Sequence, residues 1–463
     1  MSSLLKINSA IARLDGKKFG FYRALKDIGA ATNVQPNDET YSGLLQLCYN
    51  ERLFNESRAL FNEISDPTIN HFNHLIRTAI KSKQSPSTIS SLMNSMNEHG
   101  YSTTKSIVDE LILYNTHRKS LEGCLSVLHD NQSIQPSIQS ITNIINLAAN
   151  LASPRLAFDL AYEYESSSPR SMSIDTWLNI LRSAAHHHYM PAIEHAWSIV
   201  VAENKTAVDE GTCILVLNAC ARAPNPQLST LVIAALKNQY ISLQEHHLAP
   251  VIEAYSKAGN IKEPFIILGI MRQNKITPQL ETAQPIVKAI TKSVDAIDDA
   301  YYLLQDLHKE GEVIDVSAIN VIISASAKLG DMHRALSTFQ EMGTFKLKPS
   351  TETYNILLSG CIDTSNRSLG DKLLTLMKKE EIQPDKRTFE RLIVLCLTQS
   401  TYEDAFFYLE EMKSAGHIPP QNVYETLIRR CKSLGDSRYK VALEELHECK
   451  YKPTKSLLQY IKS

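Results

Sequence analysis

The sequence writes proline, a polar or acidic residue, two variable positions, threonine and an aromatic twice, as PSTETYN at 349–355 and PDKRTFE at 384–390, 35 residues apart. A pattern that recurs at such a distance specifies a stack of small units, because a unit of that size cannot bury its own apolar face and must cover it with a neighbour. Extended in both directions, the pattern tiles the chain into twelve units of 31 to 36 residues, beginning at Asp38, Ile69, Thr104, Ile138, Ile174, Glu210, Glu245, Leu280, Val316, Thr351, Lys386 and Gln421.

What recurs inside the units sets their structure. The third position is threonine in six units (Thr40, Thr176, Thr212, Thr282, Thr353, Thr388) and the fourth is aromatic in six (Tyr41, Phe72, Trp177, Tyr354, Phe389, Tyr424). Threonine suits a helix cap, and the ring opens a buried face. Positions seven and eight are then apolar, as at Leu44 and Leu45 or Leu357 and Leu358, which is the next turn of that face. A turn follows, marked by KAGN at 257–260, KLGD at 328–331 and SLGD at 433–436. A second apolar pattern carries Met271, Met342, Met377 and Met412, all at position 27. The expected fold is all-α: an α-solenoid superhelix of about twelve helix-turn-helix repeats of roughly 35 residues. Residues 1–37 and 455–463 read as capping helices around an array at 38–454, since a terminal unit otherwise exposes an apolar face.

The cysteines test the register. Five of eight, Cys48, Cys220, Cys361, Cys396 and Cys431, fall on position 11, and no C-x-x-C occurs. A small side chain recurring at one helical position is a packing residue, so neither a disulfide framework nor a metal site is expected. The triplet His186, His187 and His188, with His195 close by in sequence, falls at a turn and reads as solvated.

The charge is balanced, with a formal net value of −2, and any basic surface must be local. No apolar run approaches the ~18 residues of a membrane span. The first eighteen residues carry Lys6, Arg13, Lys17 and Lys18 against Asp15 and read equally as a weak mitochondrial presequence or as a first amphipathic helix.

With PSTETYNILL, PDKRTFERLI and the intervening AFFYLEEMKSAG (405–416), the chain resembles the pentatricopeptide repeat family. The likeness is closest over 316–430, evident over 38–103, and carried by spacing between them; the tetratricopeptide repeat is the alternative, but its W-x-x-L-G-x-x-Y pattern is absent. The resemblance implies an organellar protein that binds single-stranded RNA, one base per repeat, through position 5 and the last residue of each unit. On that basis Asn355 with Asp385 resembles a uracil-preferring pair, Asn320 with Ser350 a pyrimidine pair leaning to cytosine, and Asn73 with Thr103 another pyrimidine reader. Thr142 with Ser173 and Ser42 with Thr68 look like weaker purine readers.

Several units depart from the pattern. Position 5 is Val108, Leu178, Ile214 and Ala249 in units three, five, six and seven, and none of these hydrogen-bonds a base. Glu390 and Glu425 bring negative charge instead, and no unit keeps the aliphatic position 2 that the resemblance implies. Position 13, in contrast, is basic at Lys81, Arg222, Lys257, Lys292 and Lys328. Four of these belong to consecutive units and suit a phosphate backbone, although helix ends favour cations in any case.

The functional expectation is a non-catalytic adaptor in the mitochondrial matrix, without cofactor, metal or small-molecule substrate. Its partner would be single-stranded RNA (organellar mRNA, intron or ribosomal RNA), with the small ribosomal subunit a further candidate. A protein-binding scaffold is the alternative, favoured by near-neutral charge and the apolar position 5 of the middle units. Nothing resembles a phosphate-cradling glycine loop, H-E-x-x-H or G-x-S-x-G, and His447, Glu448 and Cys449 lack zinc-ligand spacing.

Overall fold

A computed structural model describes residues 2–16, 19–30, 36–167 and 171–462. Among them are 27 helices and no strands. The chain falls into two compact bodies, Met1–Ala207 and Val208–Ser463. Each body is a stack of helical hairpins, numbered here as repeats 1 to 12; helix A comes first in each and helix B returns.

The twelve A helices are Asp38–Glu51, Ile69–Lys81, Lys105–His117, Ile138–Asn150, Ile174–His186, Glu210–Arg222, Glu245–Lys257, Leu280–Ile290, Val316–Lys328, Thr351–Asp363, Lys386–Leu397 and Gln421–Ser433. Eleven begin where the sequence tiling begins; repeat 3 starts one residue later, at Lys105. The cause is local. The residue before each helix is the cap, and the recurring threonine is the third helical residue, closing the cap from inside. Ser350 accepts from the Thr353 N–H at 3.3 Å while Thr353 Oγ1 accepts from the Ser350 N–H at 3.1 Å, and Asn37 with Thr40 and Asp385 with Thr388 repeat the arrangement. Thr104 is the residue before its helix and so lies outside it, although its side chain makes no capping bond to a backbone N–H of the first turn.

Helix B opens on proline or its neighbour in several repeats, as in Pro86–Glu98, Pro154–Ser167 and Pro226–Asn238. The first turn tolerates the missing N–H. Within each body, successive A helices pack on one another and each B helix covers its own A helix. Phe72, Trp177, Tyr354 and Tyr424 at position 4 are at most 1% exposed, as are the four methionines at position 27. In the second body these layers merge into one apolar core running from Leu248 to Leu457.

Cys48, Cys220, Cys361, Cys396 and Cys431 are all buried in this core position. Burial pushes the Cys48 and Cys396 thiols up to about 12 and the Cys361 thiol to about 11, so they stay protonated and inert. The stretch that reads equally as presequence or cap contains the helix Ser2–Arg13, which packs on repeat 1. Asn8 Oδ1 accepts from Thr40 Oγ1 at 2.8 Å, and Ile11 lies so close to Gly43 that a Cβ there would meet it at 2.8 Å. At the other end Lys455–Lys462 covers repeat 12 with Leu457. No helix of the described residues is long and apolar enough to cross a membrane.

Candidate nucleic-acid interface

Position 5 sits one turn inside helix A, and the last residue of its unit is the cap of the next helix A. The two therefore meet at the seam between neighbouring repeats. At the seam of repeats 10 and 11, Asn355 Nδ2 donates to Asp385 Oδ1 at 3.1 Å. Burial alone would raise the Asp385 carboxyl, but the bonds from Asn355 and from the N–H and hydroxyl of Thr388 hold it below the usual carboxylate range. It is thus an ionised acceptor. At the seam of repeats 9 and 10, Asn320 Oδ1 accepts from Thr353 Oγ1 at 2.8 Å, and Ser350 reaches Asn320 only through that shared threonine.

Both asparagines are 4% exposed, and each has one buried amide atom without a partner: Nδ2 of Asn320 and Oδ1 of Asn355. An unpaired buried polar atom costs about 1–3 kcal/mol. Adjacent repeats therefore hold a spare donor and a spare acceptor just beneath the surface. Asn320 also lines a narrow cleft with Gln279, Ser317 and Glu352, formed by the A helices of repeats 8, 9 and 10. Burial raises the Glu352 carboxyl against the pull of Arg387. Glu352 stands at position 2, where the family resemblance implies an aliphatic side chain.

Repeat 3 needs correction. With the helix starting at Lys105, position 5 is Asp109 and Val108 is a core residue at 0% exposure. Asp109 Oδ1 accepts from the Ser137 N–H at 2.9 Å and from Ser140 Oγ at 2.6 Å, so this seam does carry a hydrogen-bonding side chain. The same shift replaces Thr103 by Thr104 as the partner of Asn73, whose Oδ1 accepts from Thr104 Oγ1 at 2.7 Å. The doublet Thr103–Thr104 offers two possible caps to sequence reading, and only Thr104 is followed by helix. Thr142 is turned to Met172 Sδ, 3.8 Å away, rather than to Ser173. Glu425 is not a bare charge, since its two oxygens accept from the N–H and Oγ1 of Thr454 at 3.1 and 3.0 Å and so cap the last helix.

The basic positions divide. Arg222, Lys257 and Lys328 end their A helices, whereas Lys292 lies two residues beyond Leu280–Ile290 and is exposed. Lys257 Nζ donates to the Ala221 carbonyl at 2.8 Å and pairs with Glu253 at 2.7 Å, so its charge serves to cap the preceding helix. Lys328 donates to Gln284 Oε1 at 3.2 Å. Lys81 lies with its ammonium 3.9 Å over the Tyr49 ring.

Histidines and carboxylates also converge, at Glu210, His246 and His247. His247 is fully buried; its Nδ1 accepts from the Gln244 N–H at 3.0 Å, which leaves the proton on Nε2, 3.0 Å from Glu210 Oε1. A metal would need the Nε2 lone pair, so the tautomer set by the cap works against coordination. His71 fills the same third position in repeat 2, with Nδ1 at the Thr68 N–H and Nε2 at the Asp38 carbonyl. His186–His188 end helix A of repeat 5 and form its turn, with His188 at φ 57°; His195 instead packs against Trp177 and Phe158.

The family described as pentatricopeptide repeat-containing protein matches residues 210–342. Residues 210–342 thus match pentatricopeptide repeats. The match falls on repeats 6 to 9, including the middle units where the resemblance rests mainly on spacing. Similar proteins include the pentatricopeptide repeat-containing protein At1g26460, mitochondrial, of Arabidopsis thaliana, 24% identical over 49% of this chain and 38% of the relative. The mitochondrial 15S rRNA processing factor CCM1 of Clavispora lusitaniae is 24% identical over 68% of this chain and 40% of its own length. The chain thus spans less than half of these relatives. Among solved structures, yeast Rmd9p in complex with a 16-nucleotide target RNA aligns over 96% of both chains at 12% identity and a TM-score of 0.39.

Proposed function

We propose that this pentatricopeptide repeat chain is a non-catalytic mitochondrial adaptor that binds single-stranded RNA along its A helices and acts in RNA processing, splicing, stability or translation. The observation that carries the reading is the pair of unpartnered amide atoms at Asn320 and Asn355. A base edge brings acceptors and donors together, so an unstacked base placed at each seam would satisfy both atoms and recover their desolvation cost. Asn320 Nδ2 suits a base carbonyl, and Asn355 Oδ1 beside ionised Asp385 suits an imino or amino N–H; the choice of pyrimidines at both seams is what the family resemblance implies. Relatives named as mitochondrial, one of them a 15S rRNA processing factor, favour ribosomal RNA of the small subunit as a target class and the matrix as the compartment.

Ultraviolet crosslinking in cells, with sequencing of the recovered RNA, tests the reading. One dominant mitochondrial site with pyrimidines opposite repeats 9 and 10 is the expected result; absence of crosslinked RNA would refute it. A protein-binding scaffold is the second reading, favoured by a mainly apolar groove of about 520 Å³ that includes Ile233, Leu243, Val251, Tyr255 and Ile267. Salt separates the two, because phosphate-driven binding weakens steeply with salt and an apolar interface does not.

A further inference from the structure

The turn ends of repeats 1, 2 and 3, all within the first body, surround a cavity of about 400 Å³. Arg52, Lys81, Lys83, His117 and Arg118 line it, and the only carboxylate in its wall is Glu110. That carboxylate is already engaged, accepting from Tyr49 Oη at 2.5 Å and from Arg77 Nη2 at 3.4 Å. The cations at the rim are held by neutral groups instead. Lys81 rests on the Tyr49 ring, and Arg118 lies 5.4 Å from the centre of the Tyr114 ring while donating to Tyr114 Oη at 2.8 Å. Aromatic faces position a cation without neutralising it.

The positive charge is therefore left over. Burial lowers the Lys81 ammonium from its ordinary value against the pull of Glu110, and the repulsion of Arg52 and Arg77 adds to the lowering. Helix C-termini do favour cations, which accounts for one such residue per helix. It does not account for a concave arrangement in which five guanidinium and ammonium groups, Arg77 included, share one carboxylate. Arg77 and Lys81 are half-buried while Arg52, Lys83 and Arg118 are exposed at the rim, and cations converging on one hollow favour an anion there.

We propose that this cavity is a phosphomonoester site that takes a nucleotide carrying a terminal phosphate. A terminal phosphate carries a charge of about −1.5 to −2 at pH 7 and three acceptor oxygens, which matches several convergent donors better than a singly charged phosphodiester does. Ile80 and the half-exposed Leu113 supply an apolar wall beside the cations for the sugar or base. The nucleotide is either free or the phosphorylated end of an RNA, and the site needs no sequence reading by the rest of the array.

The test uses the full chain. Calorimetry with uridine 5′-monophosphate is paired with anisotropy on short RNAs of one sequence bearing phosphate or hydroxyl at the 5′ or 3′ end. Phosphate at one end should tighten binding about tenfold over hydroxyl, an advantage lost in a Lys81→Gln, Arg118→Gln double variant. Binding of the monophosphate alone, lost in the same variant, would assign the site to free nucleotide. Should that variant lose its helical circular dichroism, Arg52→Gln with Lys83→Gln, both exposed, carries the test. No effect of end phosphate together with no monophosphate binding overturns the proposal, as does an equal loss for phosphate and hydroxyl RNAs. Either result leaves the crosslinking test of RNA binding untouched.

Discussion

Asn355→Ala separates a reading residue from a packing residue. In the folded chain the substitution removes one bond, from Nδ2 to the Asp385 carboxylate at 3.1 Å, and one unpartnered buried atom, Oδ1. A hydrogen bond to a charged group is worth about 1.5–3 kcal/mol and an unsatisfied buried polar atom costs about 1–3 kcal/mol, so the two nearly cancel. Asp385 keeps the N–H and hydroxyl of Thr388, both at 2.8 Å, and the cap survives. Stability should therefore change by no more than about 1 kcal/mol. Binding should respond differently. Loss of a base-edge contact costs about 1–3 kcal/mol, which is about a 5- to 150-fold drop in affinity. The drop should be confined to RNAs with the preferred pyrimidine opposite repeat 10, while RNAs already mismatched there lose little. Chemical denaturation and anisotropy on a set of four RNAs differing at that base measure both effects. A variant that is destabilised by more than about 2 kcal/mol and keeps its base preference would show that Asn355 serves the seam and not the RNA.

The other expectations are shorter. Asp109→Ala should cost about 1–2 kcal/mol in thermal or urea unfolding, because the Ser137 N–H loses its acceptor and the Ser140 hydroxyl keeps only Ser137 Oγ at the cap of repeat 4. Gly269→Ala should destabilise despite alanine's advantage of about 1 kcal/mol in helices, since its Cβ would fall inside the van der Waals distance of the Val313 carbonyl oxygen. His74 is held neutral chiefly by burial, with Arg77 adding to the effect, and its value is lowered to about 4. The unfolded chain thus binds the proton more readily, and stability should fall as pH drops from about 6.5 towards 4, by up to about 1.4 kcal/mol per unit. His74→Gln should flatten that part of the unfolding-against-pH curve. Among the basic positions, Lys292→Gln should lessen the slope of log affinity against log salt by about 0.7, whereas Lys257→Gln, whose charge is spent on Ala221 and Glu253, should leave it nearly unchanged.

How far the site could be read from sequence depended on which physical signal marked each residue. Core positions were legible because burial repeats: Tyr354 and Cys361 recur on the inner face of helix A and Met377 on the inner face of helix B. The start of repeat 3 was not, because Thr103 and Thr104 are chemically interchangeable as caps and only the packing of Ile107 and Val108 selects between them. A slip of one residue turns a helix by about 100°, enough to put the core residue Val108 in place of Asp109 at the seam. The pocket between Tyr49 and Arg118 was invisible for a different reason. Its cations come from three repeats: Lys81 belongs to the recurring position 13, but Arg52 and Lys83 stand at position 15 and Arg118 at position 14, and nothing in the sequence marks that these turns converge on one hollow.

That contrast bears on how such an array divides its work. Position 5 is polar at most seams, yet at several of these the side chain is consumed in holding the next helix, as Asp109 holds Ser137 and Glu425 holds Thr454. A seam can read a base only if its side chains keep an atom beyond what the cap requires. Asn320 and Asn355 keep one because an amide carries both a donor and an acceptor while the neighbouring cap uses only one of them. Aspartate or glutamate at the same position offers acceptors alone, and the cap N–H and hydroxyl take them. Asparagine at position 5 therefore stabilises the stack and still leaves a group free for a ligand. Of the twelve repeats, 9 and 10 are adjacent and meet that condition together, which is why base selection is proposed for them.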